Sequence, residues 1–158
     1  MKRADKAKEL FIKGYNCSQS VLGAFCDVIG MDFDMAMRIA SPFGGGIARM
    51  RHICGACTAM FMITGIMKGY TVHEAQLKSE HYAFVQKTAR EFEARNGSLI
   101  CRELLDSRSK VSKVIDNGTA PQANERTPEY LRSRPCLAIV EEAVNLTCKT
   151  LDISDEID

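Results

Sequence analysis

The sequence predicts an all-α fold, a single-domain helical bundle of about five to seven helices around one apolar central helix. Three observations point there. Apolar residues recur at three- and four-residue spacing along most of the chain, no segment sustains the alternation of a half-buried strand, and Gly14, Gly30 and Gly97 close periodic stretches as helix-stop residues. With 158 residues, 46% of them hydrophobic, the chain can bury a core without disulfide or metal staples.

The first helix is expected over residues 4–13, ending at Gly14. Asn16 is a good N-cap for a second, which turns Val21, Leu22, Phe25, Val28 and Ile29 inward before Gly30 ends it. Asp32 or Asp34 caps a short helix through Ile39, which the run Ser41-Pro42-Phe43-Gly44-Gly45-Gly46 terminates. Residues 52–67 read as a helix apolar on nearly every side, the centre of the bundle, with Met60, Met62 and Met67 filling its gaps. Thr71 and Glu74 have capping-box spacing and open a long amphipathic helix ending at Asn96-Gly97, with Ala75, Leu77, Tyr82, Val85, Ala89 and Phe92 as its inward stripe. Ser98 caps a short helix over 99–105. Residues 106–134, with Asn117-Gly118, Pro121 and Pro128, read as a long polar connection containing at most a helical turn. Pro135 suits the first position of the final helix, which carries Leu137, Ile139, Val140, Val144 and Leu146; the acidic stretch 152–158 is expected to fray.

A formal net charge of +1 supplies no excess of cations to neutralise phosphates, so no nucleic-acid partner is expected. The opening MKRADKAKELF lacks the apolar core of a secretory signal, and the longest apolar run, residues 54–67, falls short of the roughly 18 residues that span a bilayer. The protein is therefore expected in the cytoplasm, without membrane insertion. Seven cysteines are many for a reducing compartment, where structural disulfides are rare, so metal or redox chemistry gains weight. Cys26 and Cys148 lie inside apolar repeats and read as small buried hydrophobes.

Four of the others share a position. Cys17 follows Asn16, Cys54 follows the glycine-rich loop, Cys101 lies three residues past Ser98, and Cys136 follows Pro135, so each stands at a helix start. Free backbone N–H groups and the helix dipole favour a thiolate there, and Arg51, His52, Arg102, Arg132 and Arg134, nearby in sequence, push the same way. A cluster of thiolates repels itself unless a bound cation, a cluster or oxidation to disulfides compensates.

The residues Tyr15-Asn16-Cys17-Ser18-Gln19-Ser20-Val21, Phe43-Gly44-Gly45-Gly46, Cys54-Gly55-Ala56, Gly97-Ser98 with Cys101, and Cys136 resemble, in order and spacing, a family of redox-active proteins named for its cysteine pattern, C–GCAxxG–C–C. The resemblance runs from about residue 15 to 146 and carries the family's four characteristic cysteines onto Cys17, Cys54, Cys101 and Cys136. Two departures stand out: Ala59 occupies the position of the motif's last glycine, and Cys26, Cys57 and Cys148 lie outside the pattern. The resemblance implies a redox role.

Four sulfur ligands suit an iron–sulfur cluster or zinc. Structural zinc sites take ligands in close pairs, whereas three of these cysteines are isolated, so an iron–sulfur cluster, [2Fe–2S] first, is expected, with electron transfer to a redox partner protein. Gly44, Gly45, Gly46 and Gly55 would let the backbone approach such a centre, and Cys57 and His52 are additional candidate ligands. The alternatives are a thiol–disulfide oxidoreductase using the same cysteines, or a zinc-stabilised interaction module. Cys54 and Cys57 could act as a local dithiol, but thioredoxin-like CxxC pairs follow a strand, which is missing here. Thr58 stands where a c-type haem needs histidine, no Gly-Lys-Ser/Thr follows the glycines, and no Glu-x-x-His appears, so haem, nucleotide and a ferritin-type di-iron site are not expected. His73 and His81 read as surface residues. The apolar central helix would allow a homodimer.

Overall fold

A computed structural model of the chain describes residues 1–108 and 118–158. Residues 109–117 of the polar connection, including Asn117 of the expected turn, lie outside the described residues. The helices in order are α1 (Arg3–Lys13), α2 (Cys17–Gly23), α3 (Cys26–Ile29), α4 (Phe33–Ala40), α5 (Gly55–Lys68), α6 (Ala75–Asn96), α7 (Cys101–Arg108), α8 (Pro128–Ser133) and α9 (Cys136–Leu151), with a 3-10 turn at Ser41–Phe43. Among the described residues the fold is all-α, without a strand, and no helix is long and apolar enough to cross a membrane.

The described residues form nine helices, more than the expected five to seven, for two reasons. The second expected helix breaks at Ala24 and Phe25, both fully buried, and Phe25 leaves helical geometry at φ −120°, ψ 8°. The break leaves the Ala24 carbonyl open, and the buried Arg3 fills it, donating to Ala24 at 2.9 Å while pairing with Asp27 at 2.7 and 2.8 Å. The second reason is α8, a full short helix where at most a turn was expected, capped by Thr127, whose hydroxyl accepts from the Tyr130 N–H.

Helix α5 is the centre. Ala56, Cys57, Ala59, Met60 and Ile63 are fully buried, and α5 packs on α2, α9, α6 and α3. Its small residues let α2 approach closely, while Phe25, Leu22, Phe92 and Leu146 fill the space between helices, each contributing about 1.5–3 kcal/mol by burial. The expected helix start at His52 is corrected to Gly55, because Ile53 pairs instead with Ile100 in an antiparallel bridge. The other end is less central than expected, with Ile66 and Met67 exposed.

Three further expectations are corrected. Thr71 and Glu74 form no capping box: Glu74 is the N-cap of α6 and makes no side-chain capping bond. Ala75, Leu77 and Tyr82 face solvent, and the buried positions of α6 are Thr88, Phe92 and Asn96, with Phe84, Val85 and Ala89 half-buried, because only the C-terminal half of the helix lies over the bundle. The stretch 152–158 does not fray. Arg3 N–H donates to the Asp155 carbonyl at 2.8 Å, and the Arg3 side chain donates to the Ser154 carbonyl at 2.8 Å.

Candidate functional site

The starts of α2, α5, α7 and α9 meet around one cavity of about 50 Å3, and Cys17, Cys54, Cys101 and Cys136 all line it. Cys17, Cys101 and Cys136 are the first residues of their helices, and Cys54 is the N-cap of α5. Three local devices hold them there. Asn16 and Gln19 form a full capping box at α2, and the Asn16 amide donates to the Ser41 carbonyl at 3.0 Å, tying Cys17 to the loop before α5. The Ile53–Ile100 bridge lays the approaches to α5 and α7 side by side: Cys54 N–H donates to the Leu99 carbonyl at 2.8 Å, and Cys101 N–H to the His52 carbonyl at 2.7 Å. Ser98 fixes the turn into α7 by accepting from the Ile100 N–H at 2.9 Å and donating to Glu103.

The loop between the 3-10 turn and α5 has an uncommon backbone. Gly45, Gly46, Ile47, Ala48, Arg49 and Arg51 all take positive φ, between 45° and 71°, a left-handed run that costs an L-residue roughly 1–2 kcal/mol at each non-glycine position. Bonds from Arg49, Arg51 and His52 N–H to the Gly44, Gly45 and Gly46 carbonyls close it on itself. The coil aims the Gly45 N–H at the Cys17 sulfur and brings the Arg51 guanidinium 3.7 Å from the Cys101 sulfur. A β-branched residue at φ 67°, as Ile47 has, is a sign that surrounding contacts over-determine this shape.

Two glycines make the convergence sterically possible. A Cβ on Gly55 would lie 2.6 Å from the Cys17 sulfur and 2.6 Å from the Phe43 carbonyl oxygen. A Cβ on Gly46 would lie 2.8 Å from Cys101 Cβ and 2.6 Å from the His52 backbone nitrogen. Of the expected backbone positions, Gly45 lines the cavity, whereas Gly44 packs against the Asn16 side chain.

The seven cysteines are all free thiols. Cys17 and Cys54 lie near enough to perturb each other's titration, and Cys57 near enough to perturb that of Cys54. Helix position led to the expectation of depressed thiol pKa values; the structure reverses it. The neighbouring Cys54 thiol, burial and the repulsion of a Cys54 thiolate push Cys17 well up, against the Gly45 and Ser18 N–H groups. For Cys54, the Cys17 thiol lowers the pKa, but the Cys57 thiol, burial and repulsion from Cys57 outweigh it. Burial raises Cys101 despite Arg51. Cys136 moves from 9.0 to about 12 through burial and the neighbouring Cys17 and Cys101 sulfurs. A helix terminus supplies only about 0.3–1 kcal/mol, while taking a charge out of water costs several.

The sequence neighbours divide. Arg51 and Arg134 line the cavity and are buried, while Arg102, Arg132 and His52 are exposed and take no part in its lining. Cys57 is fully buried beneath Cys54, also outside the lining. Tyr130 of α8 completes a wall that sequence reasoning did not find, since a tyrosine in a polar connection carries no signal of its own. Its ring lies under both Arg126 at 4.9 Å and Arg134 at 4.7 Å. Leu104, Leu105, Ile139 and Phe11 supply an apolar floor.

Chemically this is a sulfur donor set with cationic side chains and, among the described residues, no acidic side chain in the lining. Such soft donors fit an iron–sulfur cluster by type. No group of three or more His, Cys, Asp or Glu side chains among the described residues is disposed to hold one metal ion, so the thiols border a space and do not meet at a point. A family model described as "Putative redox-active protein (C_GCAxxG_C_C)" matches residues 15–150. No curated protein and no solved structure matches the chain.

Proposed function

Since this chain belongs to the C_GCAxxG_C_C family of redox-active proteins, we propose that Cys17, Cys54, Cys101 and Cys136 hold an iron–sulfur cluster, [2Fe–2S] first, through which electrons pass to or from a partner. The carrying observation is the common cavity. A volume of about 50 Å3 accommodates only a few heavy atoms, which suits a compact inorganic core and is far below the size of an organic-ligand pocket. A single zinc ion would need four sulfurs at about 2.3 Å from one centre. When bound, the cluster would supply one-electron chemistry. The chain's own part is electrostatic: Arg51, Arg134 and the N–H groups of Gly45, Ser18 and Ala56 offset the negative charge of bound thiolates. Because these thiols are held protonated, ligation must release protons to solvent, and loading should strengthen as pH rises.

One observation favours a second reading. Cys17 and Cys54 line the same small cavity and perturb each other's titration, so thiol–disulfide exchange could oxidise them as a pair: their two protons and two electrons pass to a partner disulfide, which leaves as a dithiol. Anaerobic purification, with visible absorption and iron, sulfide and zinc analysis, separates the two. Iron, sulfide and colour are expected, retained in Cys57→Ser and lost when any of the four cavity cysteines is replaced. Colourless, metal-free protein with a titratable disulfide would overturn the cluster in favour of exchange, and zinc alone would point to a structural module.

A further inference from the structure

Cys54 and Cys57 stand in a setting that the sequence did not show. Ile53 pairs with Ile100 in an antiparallel bridge, the Cys54 N–H donates to the Leu99 carbonyl at 2.8 Å, and Cys54 is then the N-cap of α5. A bridged, extended residue followed at once by a helix start is the local setting of redox-active CxxC pairs. Cys54 occupies the N-cap and Cys57 the third helical position, the two places whose side chains reach across to each other in a capping box. The first turn between them is closed, with the Thr58 N–H donating to the Cys54 carbonyl at 3.0 Å. Helical geometry through Gly55 and Ala56 sets the Cα atoms of the two cysteines about 5 Å apart, inside the range of roughly 4.4–6.8 Å that a disulfide spans.

The two thiols differ in access. Cys54 lines the cavity that Cys17 also lines, whereas Cys57 is fully buried and lies outside the lining. Cys57 is thus screened from an oxidant, yet it lies beside a cavity sulfur that can pass a disulfide to it. Its nearness is felt in the titration of Cys54, which Cys17 lowers and Cys57 raises.

We propose that Cys57 is the resolving thiol of this site: it displaces Cys17 from a Cys17–Cys54 disulfide and leaves the oxidised chain closed as Cys54–Cys57. The inference rests on the exchange reading, in which two electrons and two protons have already passed to a partner disulfide. In the resolving step a Cys57–Cys54 sulfur bond forms and the Cys54–Cys17 bond breaks. The proton lost by Cys57 is taken up by Cys17, so no further co-reactant is needed. The product joins residues of one helix start rather than two helices, returns the Cys17 thiol to the cavity and withholds Cys54 from any metal.

The test treats the full, metal-free, reduced chain anaerobically with glutathione disulfide, quenches with acid, alkylates after unfolding and maps the tryptic peptides by mass spectrometry. Cleavage after Arg51 and Lys68 leaves both cysteines on one peptide, residues 52–68. A Cys54–Cys57 disulfide keeps that peptide single and unalkylated, whereas a Cys17–Cys54 disulfide links it to the peptide that carries Cys17. The single, unalkylated peptide is expected as the main product of the wild-type chain. It should be lost in Cys57→Ala, with the Cys17-linked peptide taking its place. Because Cys57 is fully buried, Cys57→Ser, which keeps the side-chain size, is the second variant and should give the same linked product, with thermal melting to check that both variants fold. A Cys17-linked peptide that persists in the wild-type chain, with Cys57 still alkylated after unfolding, would overturn the resolving role and keep the exchange reading. Absence of any disulfide within the wild-type chain and both variants would remove the exchange reading itself, and the resolving role with it.

Discussion

At Gly55 the absence of a side chain is what lets α2 bring the Cys17 sulfur against the start of α5. Gly55→Ala would put a methyl group 2.6 Å from both the Cys17 sulfur and a backbone carbonyl that cannot swing away. It should destabilise the protein by about 1–3 kcal/mol in denaturant unfolding and speed alkylation of Cys17 as α2 is pushed off α5. The thiols make a second test at this scale. Groups whose folded pKa is raised favour the folded state fully below their unfolded value, and lose that contribution as pH climbs to the folded one. For Cys136 that window runs from 9.0 to about 12. The denaturation midpoint of the metal-free, reduced protein should therefore fall above pH 9, and Cys136→Ser should flatten the fall. A midpoint that rises with pH over this range would contradict the assignment of burial as the dominant force on these sulfurs.

Among the elements, the left-handed coil before α5 and the Ile53–Ile100 bridge do the positioning that helices alone cannot. The coil spends local backbone energy to turn Gly45 N–H and Arg51 toward sulfur. Two substitutions in it should act in opposite directions. Ala48 is exposed at φ 45°, so Ala48→Gly relieves roughly 1–2 kcal/mol of strain against a glycine entropy cost of about 0.5–1, a net gain in melting temperature. Gly46→Ala, at φ 71° and against the His52 backbone, should cost at least about 2 kcal/mol and disturb Cys101. Equal effects of the two in a thermal-melt comparison would show that the coil does not set the site. Helix α6 shows the other way in which elements depart from their pattern. Its apolar residues Leu77 and Tyr82 repeat at helical spacing yet stay exposed, because a periodic stripe states which residues share a face and not how far the bundle extends beneath it.

Over the whole molecule, Arg3 ties three distant segments together, reaching the broken end of α2, Asp27 of α3 and the Ser154 carbonyl beyond α9. Its side chain is 4% exposed whereas that of Asp27 is 42% exposed, so the two halves of the pair are not equivalent. Arg3→Met should cost about 3 kcal/mol or more by orphaning the buried acceptors, and Asp27→Asn, where water can replace the carboxylate, about 1 kcal/mol. Urea unfolding of both checks the ranking, and equal losses would refute it. Much of this architecture is legible in the chain. The helical spacing, the Asn16 cap, the stops at Gly14, Gly30 and Gly97, and the common placement of Cys17, Cys54, Cys101 and Cys136 at helix starts are local properties, written within a few residues of where they act. What could not be read is whatever depends on the distance between segments. The bridge that joins Cys54 to Cys101, the burial that reverses the expected thiol pKa values, the exposure of His52, and the arrival of Tyr130 and Arg134 from the polar connection are decided by packing. The sequence by itself determined an all-α protein with four like-placed cysteines. Only the tertiary structure decided that they border one cavity and hold their protons, because desolvation and repulsion depend on neighbours brought from across the fold.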